Sequence, residues 1–118
     1  MFKLLLLDKD DDLRMLYRHE LEAWGYTVVE TDKPERILET IMEKMPDLIV
    51  IEADLGGWNG LDLFKYIRKQ YETLPVILCS AYPHFKYGPK SLASDHLVFK
   101  GFDSDELKER IQMSLDGE

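Results

Sequence analysis

The chain has 118 residues, and its 15 Lys and Arg against 23 Asp and Glu give a formal net charge of −8. That length supports one hydrophobic core, and an acidic balance with no basic cluster argues against nucleic acid as a partner. The opening MFKLLLLDKD has too short an apolar run for a signal segment or a membrane span. The single Cys79 cannot close an internal disulfide, which suits a reducing cytoplasm.

Residues 2–7 read as a first strand, whose unbroken LLLL is the pattern of a parallel strand covered on both faces. Leu13, Leu16, Tyr17, Leu21 and Trp24 then recur at helical spacing, predicting a helix with that buried stripe and Gly25 as its stop. Residues 27–31 alternate more and finish among Glu30 and Asp32, which suits an edge strand. Pro34 is well placed in a first helical turn, with Ile37, Leu38, Ile41, Met42 and Met45 as the predicted buried stripe. Residues 48–52, LIVIE, form a third strand that runs into Asp54 and a Gly-rich turn. Leu61, Phe64, Ile67 and Tyr71 mark the third helix. The last strands are 76–79 and 97–99, and Pro83, Gly88 and Pro89 between them predict a short or broken fourth helix. Asp103 with Glu106 reads as a capping-box variant opening a helix over 107–115.

This alternation implies a three-layer α/β sandwich with right-handed crossovers. There is no internal repeat, low-complexity segment or linker, so residues 1–118 are expected to form a single domain. In such a sheet, ligand sites lie beyond the carboxyl ends of the strands. Those ends read DKDDD, EAD, CSA and FKG. Acids, a hydroxyl and a lysine therefore converge on one rim, a set suited to a divalent cation and a phosphoryl group.

Over its whole length the chain resembles the receiver domain of two-component response regulators. Asp8 matches the first acid after strand one, Glu52 the phosphoacceptor Asp after strand three, Ser80 the family's hydroxyl and Lys100 its lysine. The resemblance implies a doubly wound, flavodoxin-like sheet of order 2-1-3-4-5. It also implies a role in phosphorelay signalling, a protein partner (a histidine kinase, an output domain or another signalling protein) and no membrane contact, and it leaves a homodimer open. Asp8, Asp10 and Asp54 would form the acidic pocket. Ser80, Leu97 and Lys100 would occupy the phosphate-contact and switch positions.

The departures from the family pattern matter most. Lys9 stands where a second acid helps to bind Mg²⁺. Glu52 replaces the acceptor Asp, Leu97 an aromatic switch residue, and Gly101 a proline. Lys9 is expected to weaken Mg²⁺ and to stand in for it as an ammonium, leaving at most a weak Mg²⁺ site at Asp8. The expected protein is thus not an enzyme. It is a pseudo-receiver interaction module, with Glu52 as a built-in mimic of phospho-Asp or a drifted residue held by ion pairs.

Two other readings compete. Asp54 would serve as a shifted phosphoacceptor if alternation returns it to the side of Glu52. LLLLDKDDDL also resembles the first motif of haloacid-dehalogenase-type phosphotransferases, with Asp8 as nucleophile and Asp10 as acid/base. Against the second, Asp11 and Asp12 stand where those enzymes carry Gly-Thr. His19, His84 and His96 share no metal-ligand spacing, Trp24 is assigned to the core, and Trp58 is a candidate partner contact beside the acids.

Overall fold

Leu4, Leu5, Leu6 and Leu7 are completely buried, because the strand they form lies inside a sheet with helices against both faces. The computed structural model describes residues 1–52, 54–80, 96–99 and 105–116; for Asp54, Ser80, Glu106 and residues 96–99 it describes the backbone only. In chain order the elements are β1 (Lys3–Leu7), α1 (Asp11–Ala23), β2 (Thr27–Thr31), a 3₁₀ turn (Pro34–Arg36), α2 (Ile37–Lys44) and β3 (Leu48–Glu52). A small hairpin of β4 (Asp54–Leu55) and β5 (Trp58–Asn59) follows, then α3 (Gly60–Gln70), β6 (Val76–Ser80), β7 (His96–Phe99) and α4 (Asp105–Leu115). The main sheet has the order β2-β1-β3-β6-β7, and every pairing in it is parallel. With the hairpin set apart, this is the expected 2-1-3-4-5 order.

Alternation along the strands divides the core in two. Leu5, Leu7, Ile49, Ile51 and Leu78 pack with Ile37 and Ile41 of α2 and with Leu61, Phe64 and Ile67 of α3. Leu4, Leu6, Leu48, Val50, Ile77 and Cys79 pack on the opposite face with Tyr17 and Leu21 of α1 and with Leu107 and Ile111 of α4. Three layers result, and the helices leave the carboxyl edge of the sheet to the loops.

The helix ends follow local chemistry. Gly25 closes α1 at φ +98°, while its N–H donates to Glu22 O at 3.0 Å and that of Tyr26 to Leu21 O at 3.2 Å. Together these bonds make a Schellman stop that only a residue at ease in the left-handed region supplies cheaply. Met45 ends α2 in the same region, at φ 50°.

Three expected core positions are corrected. Leu16 is 52% exposed, Met42 69% and Met45 77%. A helix lying on a sheet buries a narrow stripe, and Tyr17 and Leu21 on α1 and Ile37 and Ile41 on α2 already fill it. Met45 lies past the last helical residue and so leaves the periodic face. Leu13 and Trp24, expected in the buried stripe and the core, are only partly buried, packed against the second cluster. The predicted short or broken fourth helix and the capping role of Asp103 fall outside the described residues.

Candidate functional site

β1 and β3 are neighbours whose last registered pair is Leu7 with Ile51. The next residue on each strand is an acid, so Asp8 and Glu52 emerge together at the carboxyl edge. Both are buried, with exposures of 2% and 4%. Glu52 pairs in register with Cys79, and Ser80, one residue on, pairs with Phe99. The topology therefore brings the Asp8, Glu52 and Ser80 positions to one edge, together with the end of β7, which Lys100 follows in sequence. Lys100 itself lies outside the described residues. Leu97 sits further back on β7, in register with Leu78.

The loop after β1 is firmly held. The Asp8 N–H donates to Thr31 O at 3.2 Å, and the Asp8 carboxylate accepts the Asp10 N–H at 3.0 Å. Asp10 has a different task from the one expected. Its Oδ1 accepts from the N–H groups of Asp12 and Leu13, at 3.0 and 3.1 Å, which makes it the N-cap of α1 rather than a member of an acid pocket. Asp11 and Asp12 occupy the first turn, where the helix dipole favours them. Lys9 is exposed. Among the described residues it forms no ion pair, so the expected cluster of its ammonium with Asp8 and Glu52 does not appear there.

Beyond β3 the chain makes its hairpin, with Asp54 opposite Asn59 and Leu55 opposite Trp58. Gly56 turns the corner at φ +70°, a conformation L side chains rarely adopt. Leu55 anchors the hairpin with no exposed surface, whereas Trp58 is 43% exposed. The Asn59 Oδ1 caps α3 by accepting from Leu61 N–H at 2.8 Å.

A charged network beside the site escaped the sequence reading. The Arg14 Nε donates to Glu30 at 2.8 Å, one terminal nitrogen to Asp8 O at 2.8 Å, and the other to Asp11 at 2.7 Å. Arg18 pairs with the other oxygen of Glu30 and with Glu22. Hydrogen bonds from Arg14 and then Arg18 hold the Glu30 carboxyl below its ordinary value, and the bond to Glu30 raises Arg14 in turn. The only advance signal was Arg14 and Arg18 at i, i+4 on one helix face, level with an acid on the edge strand.

A flavodoxin-like sheet with acids at the ends of β1 and β3 defines a class of signalling module, and comparison with known proteins identifies it. The response regulator receiver domain model matches residues 4–112; the chain belongs to that family and is a receiver domain of the two-component type. It is 29% identical over 117 residues to the sensory transduction protein BceR of Halalkalibacterium halodurans, covering 98% of this chain and 50% of that protein. It is 31% identical over 120 residues to the phosphate regulon transcriptional regulatory protein PhoB of Rhizobium meliloti, covering 96% of this chain and 52% of PhoB. The chain thus spans about half the length of these two relatives. The response regulator TrrA of Thermotoga maritima, in complex with Mg²⁺-BeF, superposes with a TM-score of 0.89 at 31% identity, over 98% of this chain and 100% of that one. TrrA bound to the histidine kinase ThkA gives 0.87 at 31% identity, over 98% and 99%. Family membership, with Asp10 serving as a helix cap, sets aside the dehalogenase-type reading. Among the described residues no helix is long and apolar enough to cross a membrane.

Proposed function

We propose that this receiver domain has lost aspartyl phosphorylation and works as a pseudo-receiver, a protein-interaction module in which Glu52 takes the place of a phosphorylated aspartate. The observation that carries this reading is a buried glutamate, Glu52, closing β3 beside Asp8. A glutamate is longer than aspartate by one methylene, roughly 1.3 Å. A misplacement of about 1 Å costs on the order of 10²-fold in a reaction that depends on alignment. The same extra length carries the carboxyl group further past the strand end, as a phosphoryl group on an aspartate would reach.

The donor set is also poor for Mg²⁺. Such a cation prefers near-octahedral oxygen ligands, held through carboxylates and water. Here one oxygen of Asp8 is engaged by the Asp10 N–H, Asp10 caps the helix, and the position of the family's second acid is the ammonium of Lys9. No step of the proposed function passes through a metal.

The reading takes residues 1–118 as one receiver unit, cytoplasmic, with a protein as its partner. The complex of TrrA with a histidine kinase supports a partner of that kind, and the charge of −8 speaks against nucleic acid binding through this domain. The test uses the fluorescence of Trp58, one hairpin away from Glu52, in a Trp24→Phe background. Millimolar Mg²⁺ is expected to give no saturable change, and Glu52→Gln to weaken capture of the partner. A clean sub-millimolar Mg²⁺ curve would show that the metal site is intact. Partner binding unchanged by Glu52→Gln would remove the mimic.

A further inference from the structure

At the carboxyl edge of the sheet, a cavity of about 250 Å³ opens among the Pro34–Arg36 turn, the hairpin and the start of α3, lined by Pro34, Glu35, Trp58, Asp62, Leu63 and Tyr66. Its floor is apolar and closed, since Pro34 is buried and Leu63 is 3% exposed. Its walls are two aromatic rings, Trp58 at 43% and Tyr66 at 53% exposure. Its mouth carries two exposed carboxylates, Glu35 and Asp62. Among the described residues neither of these forms an ion pair. The cations flanking Glu35 are engaged elsewhere: Lys33 lies 3.9 Å from Asp32, and Arg36 lies 2.7 Å from Glu39.

We propose that this cavity is a receptor for one arginine side chain of a partner protein. Aromatic rings attract a flat cation to their faces, and the carboxylates of Glu35 and Asp62 in the same lining are the anionic partners a guanidinium takes. An ammonium would use the charge but not the stacking geometry. The volume falls below the roughly 300–1,000 Å³ of a drug-sized ligand site and suits a single side chain. The hairpin is anchored by the buried Leu55 and by Asn59, the cap of α3, while Trp58 stays 43% exposed. Aromatic rings and arginine are the residues that concentrate binding energy at protein interfaces, and the acidic chain complements a basic partner surface. None of its lining residues belongs to the Asp8, Glu52, Ser80 and Lys100 set, so the peptide titration below does not test the pseudo-receiver reading.

The test follows the Trp58 indole N–H in ¹H–¹⁵N spectra while a capped pentapeptide, AARAA, is titrated against its citrulline and lysine counterparts. The arginine peptide is expected to give saturable shifts at Trp58 and Tyr66 with millimolar Kd, and the neutral citrulline peptide to bind about tenfold more weakly. Glu35→Gln combined with Asp62→Asn should cost the arginine peptide a similar factor. Both positions are exposed, so the variant should keep the dispersion of the parent spectrum. Equal binding of the citrulline peptide, or no loss in the double variant, would overturn the proposal. Shifts caused by free Nα-acetyl-arginine amide but not by the pentapeptide would overturn it in favour of a small-molecule site. The same shifts produced by concentrating the protein alone would overturn it in favour of a second copy.

Discussion

Two sets of acids lie a few residues apart on neighbouring strands, and the protein treats them differently. Glu30, on the edge strand β2, keeps 29% of its side chain exposed and is gripped by Arg14 and Arg18 of α1. Asp8 and Glu52, on the inner strands β1 and β3, are at least 96% buried, with exposures of 2% and 4%. A carboxylate held at the edge by guanidinium groups while still touching water is cheap to keep, and it stabilises the fold. Burying two carboxyl groups at adjacent strand ends costs desolvation. The strand ends of an open parallel sheet are where its ligand sites lie. The Glu30 network is therefore held by partners within the fold, whereas Asp8 and Glu52 lie where such a sheet places its ligand sites, although composition alone would score them alike.

The two sets meet at Arg14, which ties Glu30 to the carbonyl of Asp8. Replacing it is the sharpest way to ask whether the network is structural. Arg14→Ala removes charge-assisted bonds to Glu30, Asp8 O and Asp11 from a side chain that is 14% exposed. Bonds of that kind contribute about 1.5–3 kcal/mol where buried and less where water competes. A loss of about 2 kcal/mol in urea unfolding is expected, with Arg14→Lys recovering only part because an ammonium cannot span three directions. A loss no larger than that of an exposed substitution such as Glu43→Ala would break the contrast.

A smaller effect is expected with pH. The folded Glu30 carboxyl lies below its ordinary 4.5 because Arg14 and Arg18 donate to it. A depressed folded value means that its contribution is complete above the unfolded value and is lost as pH falls through the folded one. The stability gap between the parent and Glu30→Gln should therefore be constant at neutral pH. It should begin to close near 4.5 and continue closing below. A gap that widened on acidification would reverse the assigned sign.

Much of this was legible in the residues, for reasons that also explain the failures. Continuous runs such as LLLL and LIVI name inner parallel strands because both of their faces are covered, and the order of acid, acid, hydroxyl and lysine at the strand ends named the family. Helical spacing located α1 and α2 but could not say how wide a stripe the sheet would cover, so Leu16, Met42 and Met45 were assigned to a core that does not reach them. The β4–β5 hairpin has strands of two residues each, too short for any period to register. Asp10 carries the charge of a pocket acid, but its position before Asp11 makes it a helix cap. The Arg14–Glu30 contact spans 16 residues, and pairing across elements leaves no local pattern to find.

The measurement that tests the central claim most directly is intact mass after incubation with acetyl phosphate and Mg²⁺, run side by side on the unmodified chain and on the Lys9→Asp, Glu52→Asp double variant. Asp8, Ser80 and Lys100 are already present, so the double variant regains the family's set of five. Each single variant should do little, because Glu52→Asp alone still faces an ammonium and Lys9→Asp alone leaves the acceptor long; groups that act as one unit are non-additive. The expected result is no added phosphoryl group on the unmodified chain and one base-labile phosphoryl group on the double variant. Phosphate uptake by the unmodified chain at a rate similar to the double variant would contradict the loss of phosphorylation outright.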